Sequence, residues 1–300
     1  MKPIKAYTLG LVLASMTLLI TACSGGGSSA PAAPPDPNVA LTTSYKVEYV
    51  PGATANPTMG KTTFQLRITK LSDGTRATSL AVSLMPVMHM PGMNHSTPVD
   101  VVTESLTTPG TYDCTVYYIM ASSSADTWEL KVMISGETAT FSPTVGGMIS
   151  IPKLKGQSPD DLITAMMGGM STTEPRTYFL LKDGPTTTTS ISLFIAAQEN
   201  NKMSFSQVYS GATFTNASGN PWPITSVTVE AATDPLGSWQ LGTNTGGHWT
   251  LPISPTLSNG QTDTVYVRLF VNGVQKSTDT LATGPTNTNG YQTVVVTEGI

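Results

Sequence analysis

The sequence predicts an all-β chain with two tandem β-sandwich domains, joined by a short helical segment that contains methionines. Apolar and polar residues alternate in short runs such as 62–69, which is typical of a strand with one buried face. Turn-forming residues punctuate these runs, with 27 glycines and 22 prolines among 300 residues. Three short motifs of the first half recur in the same order in the second half.

The charge composition excludes one class of function. Charged residues make up 11% of the chain, and the formal net charge is −4 with 15 Lys and Arg. No basic stripe is available to contact phosphates, so a nucleic-acid partner is not expected. The sequence carries no signal for an oligomeric state.

The N-terminus has the features of an export signal. Lys2 and Lys5 form a charged start, and residues 7–20 are an apolar run. The run ends in Leu19-Ile-Thr-Ala-Cys23, which resembles a bacterial lipoprotein signal. The resemblance implies that residues 1–23 are a signal peptide and that lipid is attached to Cys23. Ser24, which is not Asp, implies the outer membrane. The alternative is an ordinary signal peptide with a chance cysteine.

Residues 24–41 form a Gly/Ser/Pro tether, which we expect to be flexible. Residues 42–143 are predicted to be the first sandwich. A Tyr two residues before a Cys, in Tyr112-Asp-Cys114, resembles the tyrosine corner of immunoglobulin-like domains. Because Cys23 is used for lipid, Cys114 has no disulfide partner. It is interpreted as a small buried hydrophobic residue, with a thiolate metal ligand as the alternative.

Residues 144–190 are predicted to connect the domains. Ser158-Pro-Asp-Asp161 resembles a helix N-cap followed by Pro and acidic residues, so a helix is predicted over 162–167. Met166, Met167 and Met170 cluster here. Two interpretations stay open: packing of a helix face, and extra ligands for a metal site elsewhere. Residues 191–300 are predicted to form the second sandwich.

The internal repeat consists of three pairs of segments. Leu80–Leu84 matches Ser226–Glu230, Pro109–Tyr112 matches Gly246–Trp249, and Asp126–Gly136 matches Asp263–Gly273. These matches make Ala231–Gly242 the counterpart of the segment from residue 85 to residue 95. The counterpart contains no Met and no His. The repeat therefore indicates that the fold does not require these residues.

The segment Met85-Pro-Val-Met-His-Met-Pro-Gly-Met-Asn-His95 holds four of the fourteen methionines and two of the three histidines. Thioethers are soft, neutral donors that suit Cu(I), and imidazole also accepts Cu(II). Zinc prefers Cys, His or carboxylates. The segment therefore predicts a copper site on a sandwich rim, where Pro86 and Pro91 interrupt strand pairing. The predicted ligands are Met88, Met90, Met93 and His95, with His89 and Met85 in reserve.

Asp100 and Glu104 are predicted to support an imidazole of this site through its second nitrogen. The competing interpretation is that the methionines fill the end of a core and the histidines cap a turn. Met85 in particular is expected to continue the preceding strand. His248 stands beside Trp249 without Met or Cys neighbours, so it is interpreted as an ordinary surface residue.

Three motifs in residues 44–142 together resemble the YtkA-like/FixH-like periplasmic domain. They are Leu84–His95, Pro109-Gly-Thr-Tyr112 and Thr127-Trp-Glu-Leu130, in that order. The resemblance implies an immunoglobulin-like sandwich that handles copper or assists cytochrome oxidase assembly, with Met90, Met93 and His95 at the motif positions. Met85, Met88 and His89 are additions to the pattern, and there is no transmembrane helix, which argues against oxidase assembly.

The function expected from these observations is copper binding by a periplasmic or cell-surface lipoprotein, for sequestration or transfer, with a copper donor or acceptor protein as partner. The alternative is a non-catalytic adhesion or scaffold lipoprotein whose methionines are packing. We find no Ser/His/Asp spacing, paired acids in a motif, or phosphate-binding loop. An enzyme is therefore not expected.

Overall fold

The computed structural model describes residues 36–167, 170–258, 260, 262–278 and 290–297. The signal peptide, Cys23 and most of the predicted tether lie outside the described residues. The described chain is all-β, in several antiparallel sheets consistent with a β-sandwich. Among these residues, no helix has both the length and the apolar character needed to cross a membrane.

The N-terminal sheet pair consists of two antiparallel sheets built from residues 39–141. One sheet has the strand order β1-β2-β3-β7-β6 and the other β5-β4-β8-β9. The strands are β1 (Val39–Leu41), β2 (Tyr45–Pro51), β3 (Gly60–Lys70), β4 (Val82–Met90), β5 (Met93–Ser96), β6 (Thr103–Glu104), β7 (Thr111–Tyr118), β8 (Thr127–Ile134) and β9 (Glu137–Phe141).

The remaining strands begin at residue 153, inside the predicted connecting segment. They are β10 (Lys153–Lys155), β11 (Leu162–Met167), β12 (Met170–Pro175), β13 (Thr177–Lys182), β14 (Ser190–Gln198), β15 (Phe205–Gln207), β16 (Thr213–Thr215), β17 (Pro221–Pro223), β18 (Val227–Ala232), β19 (Gln240–Leu241), β20 (Thr243–Thr245), β21 (His248–Pro252), β22 (Thr262–Val271), β23 (Val274–Gln275) and β24 (Gln292–Thr297).

The C-terminal sheet pair repeats the strand order of the N-terminal pair. One sheet runs β10-β13-β14-β21-β20, with β15 added beside β14. The other runs β19-β18-β22-β23, with β24 beside β22. Both pairs also contain a tight two-residue hairpin with positive φ at each turn residue, Ser135-Gly136 after β8 and Asn272-Gly273 after β22. Two smaller hairpins, β11–β12 and β16–β17, complete the described sheets.

Each sheet pair encloses its own apolar core. Phe64, Leu66 and Ile68 of β3 are buried, as the alternation of this run predicts, and their neighbours Gln65 and Arg67 are more exposed. The hydroxyl of Tyr112 donates to the carbonyl of Ala77, 35 residues earlier in the sequence, at 3.1 Å. The same oxygen accepts from the amide of Leu80 at 3.1 Å.

A third apolar cluster joins the two sheet pairs. Tyr117 and Ile119, from the end of β7, pack against Phe179, Leu181 and Phe194 of the C-terminal pair. The rings of Tyr117 and Phe194 are stacked, with centroids 4.3 Å apart. This contact fixes the end of β7 against β13 and β14.

The predicted helix over 162–167 is wrong, because this segment is strand β11 and pairs with β12. A single 3-10 turn, η1 (Pro159–Asp161), precedes this strand, and Ser158 lies at its N-cap position. Ile163 and Ala165 are buried, whereas Thr164 is half-buried and Met166 is exposed. This period of two belongs to a strand, so tertiary pairing outweighs the helix propensity of Leu, Ala and Met.

Candidate metal centre

The Met/His segment is a β-hairpin rather than a rim loop. β4 pairs with β5 across a two-residue turn of Pro91 and Gly92, and Gly92 has a φ of 89°. Glycine adopts this φ without steric cost, so the turn sets the register of the hairpin. Met90 then lies opposite Met93, and Met88 lies opposite His95. The turn therefore folds Met93 and His95 back beside Met90 and Met88.

The hairpin has two faces with different chemistry. Alternation places Met88, Met90, Met93 and His95 on the face that turns toward the core. Met85 and His89 lie on the opposite face. Both were predicted as reserve ligands, and the structure does not bring them together with the four residues of the inner face. His89 instead contacts a carboxylate oxygen of Glu129 through Nε2 at 2.7 Å.

Met88, also predicted as a ligand, lies inside the core. Its side chain is fully buried, with 0% of its surface exposed, and it belongs to the apolar core of the N-terminal sheet pair. Pro86, predicted to interrupt pairing, lies within β4 opposite Leu130. Further along the strand Met90 is half-buried and packs on the edge of the core, and Met93 opposite it is also half-buried. The core thus ends between Met88 and Met90.

His95 is buried and holds a defined tautomer. Its Nδ1 lies 2.7 Å from the carbonyl oxygen of Ser96, and a carbonyl can only accept. The proton of a neutral His95 is therefore assigned to Nδ1, which leaves the lone pair on Nε2. Burial lowers the pKa of His95, and the charges of Lys202 and Lys153 act in the same direction. The imidazole is therefore in its metal-binding, neutral form.

The Nε2 atom of His95 faces a sulfur atom. Met120 Sδ lies 3.3 Å from it. A thioether has no proton to donate, so two lone-pair donors face each other with no hydrogen between them. A nitrogen and a sulfur donor in this arrangement are suited to a soft cation.

Trp128 holds both of these donors. Its indole N–H donates to the carbonyl of Met120 at 3.1 Å. Its ring meets the ring of His95 edge to face, with centroids 5.5 Å apart. Trp128 is itself buried and lies opposite Met88 in the β4–β8 pairing. The core therefore positions the two donors, which is the usual task of residues behind metal ligands.

His95 and Met120 line a cavity of about 340 Å³ between the two sheet pairs. Its wall includes Met90, Met93, His95 and Met120, so three thioethers and one imidazole line the same space. We define these four residues as the Met/His pocket. The part of the chain that the structure describes contains no group of three or more His, Cys, Asp or Glu side chains able to hold a metal.

The opposite wall of this cavity is cationic. Lys153, Lys155 and Lys202 line it together with Glu174. Lys202 forms an ion pair with Glu174 at 2.8 Å, and Lys155 donates to the Thr177 hydroxyl at 2.6 Å. Burial lowers the pKa of both Lys153 and Lys155. Nearby positive charge repels a divalent ion twice as strongly as a monovalent one.

A larger cavity of about 770 Å³ lies around β10 and β24. Its lining contains no His, Met, Cys, Asp or Glu. It therefore offers no ligand set for a metal, despite its greater size.

Met120 is the site residue that the sequence did not reveal. It lies two residues beyond β7, in the sheet that faces β4 and β5. The predicted set from β4 and β5 keeps Met90, Met93 and His95. Met166 and Met170 do not line the pocket, and both are exposed on the β11–β12 hairpin. The side chain of Met167 lies outside the described residues.

Three other sequence interpretations can be compared with the structure. Cys114 is buried in the core, and burial strongly raises the pKa of its thiol, which excludes the thiolate alternative. Asp100 and Glu104 do not support His89 or His95. Glu104 accepts from the amides of Ser79 and Gly110.

His248 is not an ordinary surface residue. Its Nδ1 lies 2.7 Å from Asp183, and its Nε2 lies 3.2 Å from Asp100 of the N-terminal sheet pair. Tyr117 and Lys61 of the N-terminal pair also donate to Asp183. Burial alone would lower the pKa of His248, but the hydrogen bond and charge of Asp183, together with Asp100, raise it. This network, here called the His248 bridge, links the two sheet pairs.

Comparison of the sequence with protein-family models and with curated proteins finds no match.

Proposed function

We propose that this chain is a copper-binding lipoprotein that holds Cu(I) in the Met/His pocket. The observation that carries the proposal is the 3.3 Å approach of His95 Nε2 to Met120 Sδ, two lone-pair donors when the proton of His95 is assigned to Nδ1. Met90 and Met93 line the same cavity and supply further thioethers. Copper bound there would gain soft ligands that neither titrate nor carry charge.

The charge of the pocket supports a monovalent ion. No carboxylate belongs to the four donors, and the facing wall carries three lysines against one glutamate, Glu174. A divalent ion would meet this wall at twice the Coulomb cost. The same positive wall weakens retention of any cation, which fits sequestration with release or transfer to a copper acceptor protein.

The location and architecture form part of the same proposal. We propose that lipid on Cys23 anchors the chain to the outer membrane and that residues 24–38, which precede strand β1, act as a tether. The two sheet pairs would be tandem immunoglobulin-like domains, with the Met/His hairpin in the first. The strand order that the two sheet pairs share supports this architecture. We propose no catalytic role.

The alternative is an adhesion or scaffold lipoprotein whose methionines serve packing. The complete burial of Met88 favours packing for that residue. Met90 and Met93 are only half-buried and line a cavity, so packing does not account for the whole segment.

The test is a competition titration of the chain from residue 24 onward with Cu(I) and a chromogenic chelator, without oxygen. The variant Met90→Leu/Met93→Leu/Met120→Leu removes three sulfurs while nearly conserving side-chain volume. We expect its affinity to fall at least about a hundredfold, equivalent to about 2.7 kcal/mol. The matched control is Met85→Leu, on the opposite face, which should bind as the parent does.

Two results would contradict the copper proposal. Absence of binding by the parent chain leaves the adhesion or scaffold alternative. Equal affinity of the parent and the triple variant places any copper outside the Met/His pocket. Folding of each variant is checked by its thermal unfolding, so that a loss of affinity is not a loss of structure.

A further inference from the structure

A lysine and an aspartate face each other deep inside the C-terminal sheet pair. Asp161 ends the turn η1, and Lys276 follows β23. Both side chains are fully buried, with 0% of their surface exposed. The two residues are 115 positions apart in sequence. They lie far along the chain from the Met/His pocket, and nothing in the copper proposal uses them.

The amine of the lysine and the carboxyl group of the aspartate are in close contact. Lys276 Nζ lies 2.6 Å from Asp161 Oδ2. The two groups form an ion pair whose side chains are both fully buried. A buried ion pair carries a large desolvation cost, which requires an explanation.

The other carboxylate oxygen is held by two donors. Asp161 Oδ1 accepts from the Tyr178 hydroxyl at 2.7 Å and lies 3.2 Å from Arg176 Nε. Both donors would stabilise negative charge that develops on Oδ1. They leave Oδ2 as the oxygen that faces the amine. The carboxyl group is thus polarised on one side and approached by a nucleophile on the other.

Burial shifts both partners toward their neutral forms. Desolvation raises the pKa of Asp161, although Lys276 and Arg176 oppose the shift. Desolvation also lowers the pKa of Lys276. A neutral amine is a nucleophile, and a protonated carboxyl has a better leaving group than a carboxylate.

We propose that Lys276 and Asp161 condense into an intramolecular amide crosslink. The lone pair of Nζ attacks the Asp161 carboxyl carbon, and a C–N bond forms. The bond from that carbon to Oδ2 breaks. Oδ2 leaves as water, which carries the carboxyl proton and one proton from the amine. No oxidant, reductant or cofactor is consumed.

The surrounding charges remain balanced after this reaction. Arg176, also fully buried, keeps an ion pair with Glu199 at 2.9 Å. The crosslink removes the buried amine and the buried carboxyl group together, and with them the cost of holding these polar groups away from water. It would also close a long loop of the chain and so reduce the entropy of the unfolded state.

The crosslink is tested on the purified full-length protein by proteolysis after denaturation, followed by mass spectrometry. We expect one branched peptide containing Asp161 and Lys276, lighter than the sum of its two linear peptides by one water. An amine-modifying reagent applied to the denatured chain should fail to label Lys276. The neighbouring Lys153 and Lys155 should be labelled and serve as internal controls.

Two variants test whether the crosslink depends on the arrangement of these side chains. Lys276→Met should give only linear peptides. Tyr178→Phe keeps the ring but removes a donor to Oδ1, so the branched fraction in freshly made protein should fall severalfold. Linear peptides alone, with Lys276 labelled in the denatured wild-type chain, would overturn the proposal and leave a buried ion pair. This outcome does not depend on whether any variant folds.

Discussion

The hairpin β4–β5 and the β18–β19 pair occupy the same place in two sheets of identical strand order. The first turns in two residues and carries methionines and histidines. The second pairs only Glu230 with Leu241 and Ala231 with Gln240, and it contains neither residue type. The same sheet therefore forms with or without these side chains, so their presence in β4–β5 has a local cause.

The local cause differs from one residue to the next along β4. Met88 is enclosed by the core, whereas Met90 lies at the core's edge and faces the cavity. A spacing of two residues is enough to separate a packing residue from a candidate ligand. Substitutions at Met88, His248 and His89 test these differences, in order of decreasing expected effect.

Met88→Ala should cause the largest loss of stability. Truncating a buried methionine leaves a cavity, and such substitutions cost about 2–5 kcal/mol in free energy of unfolding. Urea unfolding followed by tryptophan fluorescence measures the loss. Cu(I) affinity, measured on the folded variant, should remain that of the parent.

The control for this experiment is Met90→Ala, which should show the opposite pattern of a small stability loss and weakened Cu(I) binding. If Met88→Ala weakens copper binding as strongly as Met90→Ala does, the division between packing and ligand along β4 is wrong.

Much of the fold could be predicted from the sequence because it depends on local patterns. The alternation in β3 predicts its buried face, and Pro91-Gly92 allows Met93 and His95 to fold back. The repeat is also visible, but one of its matches is off by one residue. Counted from the tight hairpins, Val82 of β4 corresponds to Val227 of β18, because they lie opposite Ile134 and Val271. With a period of two, this shift changes the face of every residue.

The unpredicted parts depend on contacts between distant segments. Met120 reaches His95 only because two sheets pack face to face, and no spacing in the sequence encodes this approach. His248 contacts Asp100, and the two residues are 148 positions apart in sequence. The strand at Leu162–Met167 forms because β12 pairs with it, although its residues favour a helix.

His95 and His248 should respond differently to pH. Burial lowers the pKa of His95, whereas the carboxylates of the His248 bridge raise the pKa of His248. A raised folded-state pKa gives stability that is fully present below the unfolded value of about 6.5 and is lost as pH rises through the folded value. Lys61 and Tyr117 also face this bridge, and both donate to Asp183.

His248→Gln should therefore be less stable than the parent mainly at acid pH. Unfolding of both chains is measured at intervals from about pH 5 to about pH 9, on either side of the ordinary histidine pKa. The difference between them should shrink as pH rises. A difference that stays constant with pH would show that His248 contributes through packing against Phe194 and not through its charge.

The smallest effect is expected at His89, which lies only six residues from His95 in sequence. Its side chain is 43% exposed and pairs with Glu129 on the outer face of the hairpin. Exposed ion pairs contribute about 0–1 kcal/mol to stability, so His89→Gln should leave the unfolding curve nearly unchanged. Cu(I) affinity should also stay the same, whereas His95→Gln should reduce it. If the two variants lose affinity equally, the inward pair of His95 and Met120 does not by itself account for copper binding.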